Sequence, residues 1–430
     1  MRLSFRLAWI TSTAAGLVAC NSVSLAEPPS PAASSTAAGY AAASALASSA
    51  PVSVPVPVPA GTLEATNPPA FDAWVAGLRS EARAAGIAEA TLREALSDLR
   101  YLPRLVAQDR AQPEFSRPPW AYLDSAVTPL RIQNGQQKWQ ALREPAQAAA
   151  DRYGVPPSIV MAIWGVESNY GSNYGNTPTL DALATLGFDG RREAWARGQL
   201  LAALKILQNG DIARAQMIGS WAGAMGQTQF LPSAFLAHAV DADGDGRRDI
   251  WGSPADVIAS TANFLARSGW QAGQPWGLEV RLPASFDLAR ADGALRLSSQ
   301  RWAEDGVQAM DGRPLPDLPD AALLLPAGAR GPAFMVGANF RSLLRYNNST
   351  SYALAVGLLA AGIEGGPGVQ AAWPRDLVML SRSQMTALQT ALNQRGFASG
   401  TADGVMGPAT RDAVRRYQRS LGLPADGYPD

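Results

Sequence analysis

A glutamate on the apolar face of a short helix is the feature that most restricts how this chain folds. Within Pro157–Gly175, Glu167 follows an apolar helical repeat at position i+7. The residues that share its face are Val160, Ile163 and Trp164. Prolines before the repeat, and Asn169 with Gly171 after it, predict the two ends of the helix. A carboxylate in apolar surroundings is costly, so Glu167 is neutral, paired or functional; the helical pattern alone favours an ordinary capping or ion-paired glutamate.

Length and composition restrict the class of protein. A chain of 430 residues is long enough for two or three domains. Because 36 basic residues balance 36 acidic ones, net charge gives no support for nucleic-acid binding. An apolar fraction of 47% with 12 tryptophans provides for a sizeable core, and aromatic rings also suit the recognition of sugars. The one cysteine, Cys20, excludes an internal disulfide and a thiolate metal cluster.

Residues 1–26 have the pattern of a bacterial lipoprotein signal region. A basic start precedes an apolar run over residues 7–19, which is too short to span a bilayer. The segment Leu17–Cys20, LVAC, resembles a lipobox, and this resemblance implies that Cys20 becomes the lipidated first residue. Asn21 in the next position implies the periplasmic side of the outer membrane. The alternative is cleavage after Ala26, which would leave a soluble periplasmic protein.

The remaining chain divides into a spacer and two folded parts. Residues 27–69 are rich in proline, alanine and serine, which predicts an extended linker. Residues 70–378 are predicted to be mainly α, with helices over 71–87, 89–99, 120–143 and 191–209. Strand-like patches are confined mainly to 278–297, which predicts a small β insertion. Residues 379–430 form a second module with predicted helices over 385–395 and 410–420.

Two motifs resemble those of the membrane-bound lytic murein transglycosylase B family. The first is Glu167–Gly171, ESNYG, and the second is Gly219–Ser233, GSWAGAMGQTQFLPS, at the family's spacing. The resemblance covers most of residues 70–375 and implies a lysozyme-like catalytic core that acts on peptidoglycan. The second module resembles a peptidoglycan-binding domain of the three-helix type, through Leu388-Gln389, Asp403-Gly404 and Tyr417-Gln418.

The family resemblance assigns the catalytic role to Glu167. Most glycosidases use two carboxyl groups, whereas the lytic reaction uses no attacking water and needs only one. The glutamate would protonate the glycosidic oxygen between N-acetylmuramic acid and N-acetylglucosamine. It would then take the proton of the C6 hydroxyl as a 1,6-anhydro ring closes. Asp181 and Glu193, the nearest acids downstream, are interpreted as helix-capping or surface charges.

The same resemblance implies a set of side chains that bind substrate. They are Ser220 and Gln229 of the second motif, Tyr346, Asn347 and Tyr352 of the segment RYNNSTSY, and Tyr122. Phe264 stands where some members carry a cleft tyrosine, so one hydroxyl of the family pattern is missing. Core packing, with the hydroxyl bonded elsewhere, is the alternative for each tyrosine. His238, the one histidine, is interpreted as a packing residue.

An acidic loop predicts a structural calcium site. Asp241, Asp243 and Asp245 occupy positions one, three and five of an EF-hand-like pattern, with glycine at six. Gly252 replaces the usual glutamate at position twelve, and the family resemblance implies that Asp256 closes a longer loop. The alternative is an aspartate- and glycine-rich turn. No cofactor is expected in the chemistry itself.

The sequence therefore predicts a lipid-anchored lytic transglycosylase whose partner is peptidoglycan, with no nucleic-acid partner. A hydrolytic muramidase is one alternative, although no second acid stands out to activate a water. The other alternative is a non-catalytic protein that anchors the membrane to the cell wall. Such an anchor would need only residues 379–430 and not the two motifs.

Overall fold

The structure is a computed structural model that describes residues 67–111 and 117–429. Within these residues, the helices before the central one are α1 (Pro69–Ala84), α2 (Glu89–Leu96), α3 (Pro103–Arg110), α4 (Pro119–Ala126), α5 (Pro129–Ala141) and α6 (Arg143–Tyr153). The central helix is α7 (Pro157–Ser168). It is followed by α8 (Thr179–Phe188), α9 (Glu193–Asn209), α10 (Pro232–His238), α11 (Pro254–Arg267), α12 (Ser299–Glu304), α13 (Ala338–Tyr346), α14 (Thr350–Ile363), α15 (Arg382–Gln394) and α16 (Pro408–Ser420). In this described part, no helix is both long and apolar enough to cross a membrane.

The strands form two small antiparallel sheets. Strand β1 (Thr177–Pro178) pairs with β2 (Ile218–Gly219), which leads into the second sequence motif. The other sheet has the order β4-β3-β6-β5, from β3 (Gly277–Arg281), β4 (Gln308–Ala309), β5 (Ala322–Leu324) and β6 (Ala333–Val336). In its register, Leu278 faces Met335 and Val280 faces Ala309. The β insertion is present, but its strands extend well beyond residue 297. The sequence does not reveal β4, β5 and β6 because these strands are too short to show a clear alternation.

Helix α7 lies in the middle of the helical core because it is apolar on every face. Its residues from Ser158 to Gly165 are buried, and it packs against α5, α11 and α14. The predicted apolar stripe is therefore part of a helix that is buried along most of its length. The helix ends where the sequence predicts: Asn169 takes a left-handed φ of 48° directly after Ser168.

The C-terminal module, as far as residue 429, contains α15, α16 and the turns around them. Its small core consists of Leu392, Ala413 and Val414, with Phe397 and Tyr417 packed against it. Two glutamine side chains hold the turns that follow the helices: Gln389 accepts from Gly404 N, and Gln418 accepts from Gly427 N, each over 2.8 Å. The boundary between residues 378 and 379 stays a prediction. Cys20 and the linker over 27–66 lie outside the described residues.

Candidate active site

Glu167 lies in the last turn of α7, and its carboxyl group receives a hydrogen bond from a tyrosine. The hydroxyl of Tyr352, in the first turn of α14, donates to Glu167 Oε1 over 2.7 Å. The residue as a whole keeps some exposure, whereas its carboxyl group is surrounded by protein atoms. Burial raises the pKa of Glu167 from its usual 4.5 to about 7, and the Tyr352 hydrogen bond opposes this rise. No arginine or lysine contributes to the shift, so the geometry does not support an ion-paired glutamate.

Tyr346 and Tyr352 lie side by side next to this acid. Their ring centroids are 6.4 Å apart and the rings are nearly parallel, with an interplanar angle of 12°. The Tyr346 hydroxyl donates to the carbonyl oxygen of Thr228 over 2.7 Å, which ties α13 to the second motif. Burial raises the pKa of both hydroxyls well above the usual value, and the nearby Glu167 adds to the rise. Both tyrosines are therefore neutral hydrogen-bond donors, and Tyr352 is the one that reaches the acid.

Two other predicted substrate-binding residues, Gln229 and Ser220, are partly exposed and are held by the backbone. Gln229 is partly exposed, and its Nε2 donates to the carbonyl oxygens of Tyr174 and Gly226 over 3.0 and 2.9 Å. Ser220 Oγ, also partly exposed, accepts from Ala224 N over 3.1 Å. Both side chains are therefore held in fixed orientations by backbone groups.

Asn347 and Tyr122 complete the predicted set. Asn347 is fully buried directly after α13, where its backbone oxygen accepts from Ser349 N over 2.8 Å. Tyr122, on α4, is half-buried and close enough to Tyr352 to contribute to the raised pKa of that hydroxyl. A direct contact of either residue with substrate stays a prediction.

Phe264 and His238 belong to an aromatic cluster rather than to the polar part of the site. The Phe264 ring lies 4.7 Å from the ring of Tyr346 and 4.6 Å from that of His238, centroid to centroid. Burial lowers the pKa of His238 to about 4, so the imidazole is neutral at physiological pH. The described geometry therefore fits the packing role that the sequence predicts for His238.

The structure brings together three of the four predicted calcium ligands. Carboxylate oxygens of Asp241, Asp243 and Asp256 lie within 4.8 Å of one another. Hard oxygen donors at this spacing fit a calcium ion, and Asp256 is fully buried at the start of α11. Asp245 is not part of this group; its Oδ1 accepts from Arg247 N over 2.8 Å. Its partner is thus a backbone group two residues along the chain, a local contact that the linear EF-hand pattern does not reveal.

Sequence reasoning missed one polar residue that links the two motifs. Gln227, within the second motif, is buried and accepts a hydrogen bond from Trp164 Nε1 over 3.0 Å. The two acids downstream differ from each other: Asp181 is buried and accepts from Arg100 N, so it is not the surface or capping charge that the sequence predicts, whereas Glu193 is partly exposed and accepts from Trp74 Nε1. The signal that points to Gln227 is its place in the motif, two residues before Gln229.

A buried glutamate with a raised pKa at the end of a central helix is suited to general-acid chemistry, as in lysozyme. The family model for the transglycosylase SLT domain matches residues 70–361, and that for a peptidoglycan binding domain matches residues 381–430. The chain therefore belongs to the SLT family of lytic transglycosylases. This confirms the predicted family, fold class and enzymatic activity on peptidoglycan.

Known relatives agree with this assignment. Membrane-bound lytic murein transglycosylase B of Escherichia coli (strain K12) is 34% identical over 288 residues, which cover 63% of this chain and 77% of the relative. SltB3 from Pseudomonas aeruginosa, solved in complex with NAG-anhNAM-pentapeptide, is 52% identical with a TM-score of 0.81; the match covers 84% of this chain and 96% of that one. Slt35 from Escherichia coli, solved in complex with calcium, is 32% identical with a TM-score of 0.58, over 69% of this chain and 93% of that one.

Proposed function

We propose that Glu167 is both the general acid and the general base with which this lytic transglycosylase cleaves peptidoglycan. The observation that carries the proposal is the environment of its carboxyl group. Burial raises the pKa to about 7, so the group holds a proton near neutral pH and gives it up readily. Burial and the Tyr352 hydrogen bond account for the shift, without a second carboxylate. A single acid suits a reaction in which no water has to be activated.

The reaction follows from these properties. Glu167 donates its proton to the oxygen between N-acetylmuramic acid and N-acetylglucosamine, and the bond from C1 to that oxygen breaks. The substrate's own N-acetyl carbonyl stabilises the positive charge that develops at C1. The carboxylate of Glu167 then takes the proton of the C6 hydroxyl while O6 bonds to C1. The products are a free N-acetylglucosamine hydroxyl and a 1,6-anhydro-N-acetylmuramic acid end, and Glu167 has regained its proton.

The surrounding residues orient the sugar and the acid. The Tyr352 hydroxyl stabilises the carboxylate in the middle of the reaction, when Glu167 carries a negative charge. We assign hydrogen bonds with the sugar to Ser220 and Gln229, whose side chains are partly exposed and anchored to backbone groups. Tyr346, Asn347 and Tyr122 are proposed to complete the cleft. The NAG-anhNAM group bound to SltB3 supports the non-hydrolytic outcome over the muramidase alternative.

We further propose that Asp241, Asp243 and Asp256 hold a structural calcium ion. Their carboxylates converge, and Slt35 was solved in complex with calcium. When bound, the ion would neutralise part of the negative charge of this loop and fix the start of α11. The chemistry itself requires no cofactor.

For the location of the protein, we propose lipidation at Cys20 and attachment to the periplasmic side of the outer membrane. The LVAC segment supports this, as does the membrane-bound relative from Escherichia coli. Residues 381–430 would hold the enzyme on the cell wall. Cell fractionation tests the anchor: Cys20→Ala should move the protein from the membrane to the soluble periplasmic fraction or block processing. Membrane association equal to that of the wild type would disprove lipidation.

The chemistry is tested by mass spectrometry of the products released from purified peptidoglycan. Glycan ends should be 1,6-anhydro-N-acetylmuramic acid, lighter by one water than the ends that hydrolysis produces. Reducing N-acetylmuramic acid ends would assign the enzyme to the muramidases instead. The absence of any cleavage by pure, folded protein that binds peptidoglycan would favour the non-catalytic anchor.

A further inference from the structure

Gln227 is a buried side chain whose polar groups all have partners on other segments. Its Oε1 accepts from Trp164 Nε1 over 3.0 Å, and its Nε2 donates to the carbonyl oxygen of Trp251 over 2.6 Å. Its backbone N–H donates to the oxygen of Ile250 over 2.8 Å, and its backbone oxygen accepts from Ser168 Oγ over 2.7 Å. A buried amide whose oxygen and nitrogen are each bonded to a different segment has one preferred orientation and transmits that orientation to its partners.

Two of these partners lie on either side of Glu167 in helix α7. Trp164 precedes the acid by three residues, and Ser168 follows it directly. Both bonds with Gln227 therefore act on the last turn of the helix, which is the turn that carries the carboxyl group. A rotation or translation of this turn would move Glu167 relative to the hydroxyl of Tyr352.

The backbone after Glu167 has an unusual conformation that needs contacts to hold it in place. Asn169 and Tyr170 have φ values of 48° and 59°, in the left-handed region that side-chain-bearing residues seldom adopt. Gly171 then passes so close to Gln227 that a Cβ there would lie 2.1 Å from Oε1. The first motif thus needs its glycine because the carboxamide of Gln227 occupies that space.

The other side of Gln227 is connected to the acidic loop. Trp251 N donates to Asp249 Oδ1 over 2.8 Å, and Asp249 N donates to Asp256 Oδ2 over 2.7 Å. A continuous set of hydrogen bonds therefore leads from the acidic loop through Gln227 to the end of α7. Coupling through such a set requires each member to stay in place.

We propose that Gln227 is a positioning residue that fixes the orientation of Glu167 by clamping the last turn of α7 to the segment Ile250–Trp251. This proposal rests on the role of Glu167 as acid and base. Gln227 does not contact the carboxyl group of Glu167; it acts through Trp164 and Ser168. Its loss should therefore reduce the rate of the chemical step and leave substrate binding nearly unchanged.

The first test compares Gln227→Leu with a matched control variant. The kcat and KM of each are measured on soluble peptidoglycan strands, well below the melting temperatures of the two variants. Leucine keeps the approximate size and removes both side-chain bonds. Because small misplacements of a reacting group can reduce rates about a hundredfold, we expect kcat to fall roughly 10- to 100-fold with KM within about threefold. The control is Asn339→Leu, since Asn339 is also a buried amide and binds the backbone of Gln271 and Gln274. It should lose stability but keep kcat within about twofold of the wild type.

A second variant, Trp164→Phe, removes the Nε1 donor together with part of the ring, and it serves even if Gln227→Leu does not fold. It should lower kcat about tenfold without raising KM. If Gln227 acts through Trp164, the double variant should lose less activity than the product of the two single losses. Equal kcat values for Gln227→Leu and Asn339→Leu, or strictly multiplicative losses, would overturn the proposal. An active Glu167→Gln would instead refute the proposed role of Glu167. Failure of the Gln227 proposal and failure of the proposed function are therefore distinguishable.

Discussion

Glu167 and Asp256 are both buried carboxyl groups with a raised pKa, yet their surroundings differ. Glu167 receives one hydrogen bond from a neutral hydroxyl, and burial raises its pKa to about 7. Burial also raises the pKa of Asp256, to about 6, but Ala242 N and Asp249 N each donate to it over 2.7 Å and lower the value. The charge of Asp243, which lies nearby, raises it again.

The difference shows how surroundings would separate the proposed proton-transfer group, Glu167, from the proposed cation ligand, Asp256. Glu167 has no charged neighbour that affects its pKa, so its two protonation states are close in free energy near neutral pH. Asp256 is held by fixed backbone donors among other acids, an arrangement that favours a carboxylate beside a cation. Burial alone therefore does not assign a function to a carboxyl group; the donors and charges around it do.

The largest effect should come from removing the proton of Glu167. Glu167→Gln keeps the shape of the side chain but leaves neither an acid nor a base. General acid–base help is worth roughly two to four orders of magnitude for each proton transfer, so activity on peptidoglycan should fall at least about a thousandfold. Binding to purified cell walls should persist through residues 381–430. Substantial product release by this variant would exclude Glu167 from the mechanism.

The same variant should change how stability depends on pH. Glu167 is neutral in both the folded and unfolded states below its usual pKa of 4.5, and as pH rises through about 7 the folded protein must ionise a buried group. Between pH 4.5 and about 7, the free energy of unfolding of the wild type should therefore fall by up to about 3 kcal/mol relative to that of Glu167→Gln. Thermal unfolding at several pH values measures this difference.

Glu193→Gln provides a comparison of opposite sign. Hydrogen bonds from Trp74 and Arg197 lower the pKa of Glu193, so its contribution to stability is present above its usual pKa and is lost as pH falls. A difference between Glu167→Gln and the wild type that does not change with pH would contradict the raised pKa.

Calcium should stabilise the wild type and should reveal which acids bind it. An ion that binds only the folded state at a hundred times its Kd adds about 2.7 kcal/mol to the free energy of unfolding. Asp243→Asn should abolish this rise in Tm, whereas Asp245→Asn should retain most of it because Asp245 lies outside the convergent group. Equal losses in the two variants would restore the EF-hand interpretation, and no rise in the wild type would make the loop an ordinary turn.

Tyr352→Phe should have the smallest of these effects. Loss of one hydrogen bond to the carboxylate is expected to lower kcat about tenfold, equivalent to about 1.4 kcal/mol. Because that bond lowers the pKa of Glu167, its removal should move the fall of activity, near pH 7 in the wild type, to higher pH. Tyr170→Phe is the control, since its buried hydroxyl donates to Arg131 O instead. A shift of the pH profile in the control but not in Tyr352→Phe would refute this assignment.

The sequence by itself determined the central elements and the acid. The apolar repeat before Glu167 predicts α7 with ends close to those observed, and the helix predicted to end at residue 209 does so, with Gly210 in the left-handed conformation directly after it. The two motifs predict the family, which the match of the transglycosylase SLT domain over residues 70–361 confirms. Local signals succeed at these positions because capping and helical periodicity act over a few residues.

Tertiary structure alone decided what surrounds the acid. Tyr352 lies 185 residues from Glu167 in sequence, and α14, which carries it, is too uniformly apolar to show which face is inward. The central place of Gln227 also depends on contacts between distant segments. Desolvation and hydrogen bonding by such segments set the pKa of Glu167, and neither is encoded within the helix that carries it.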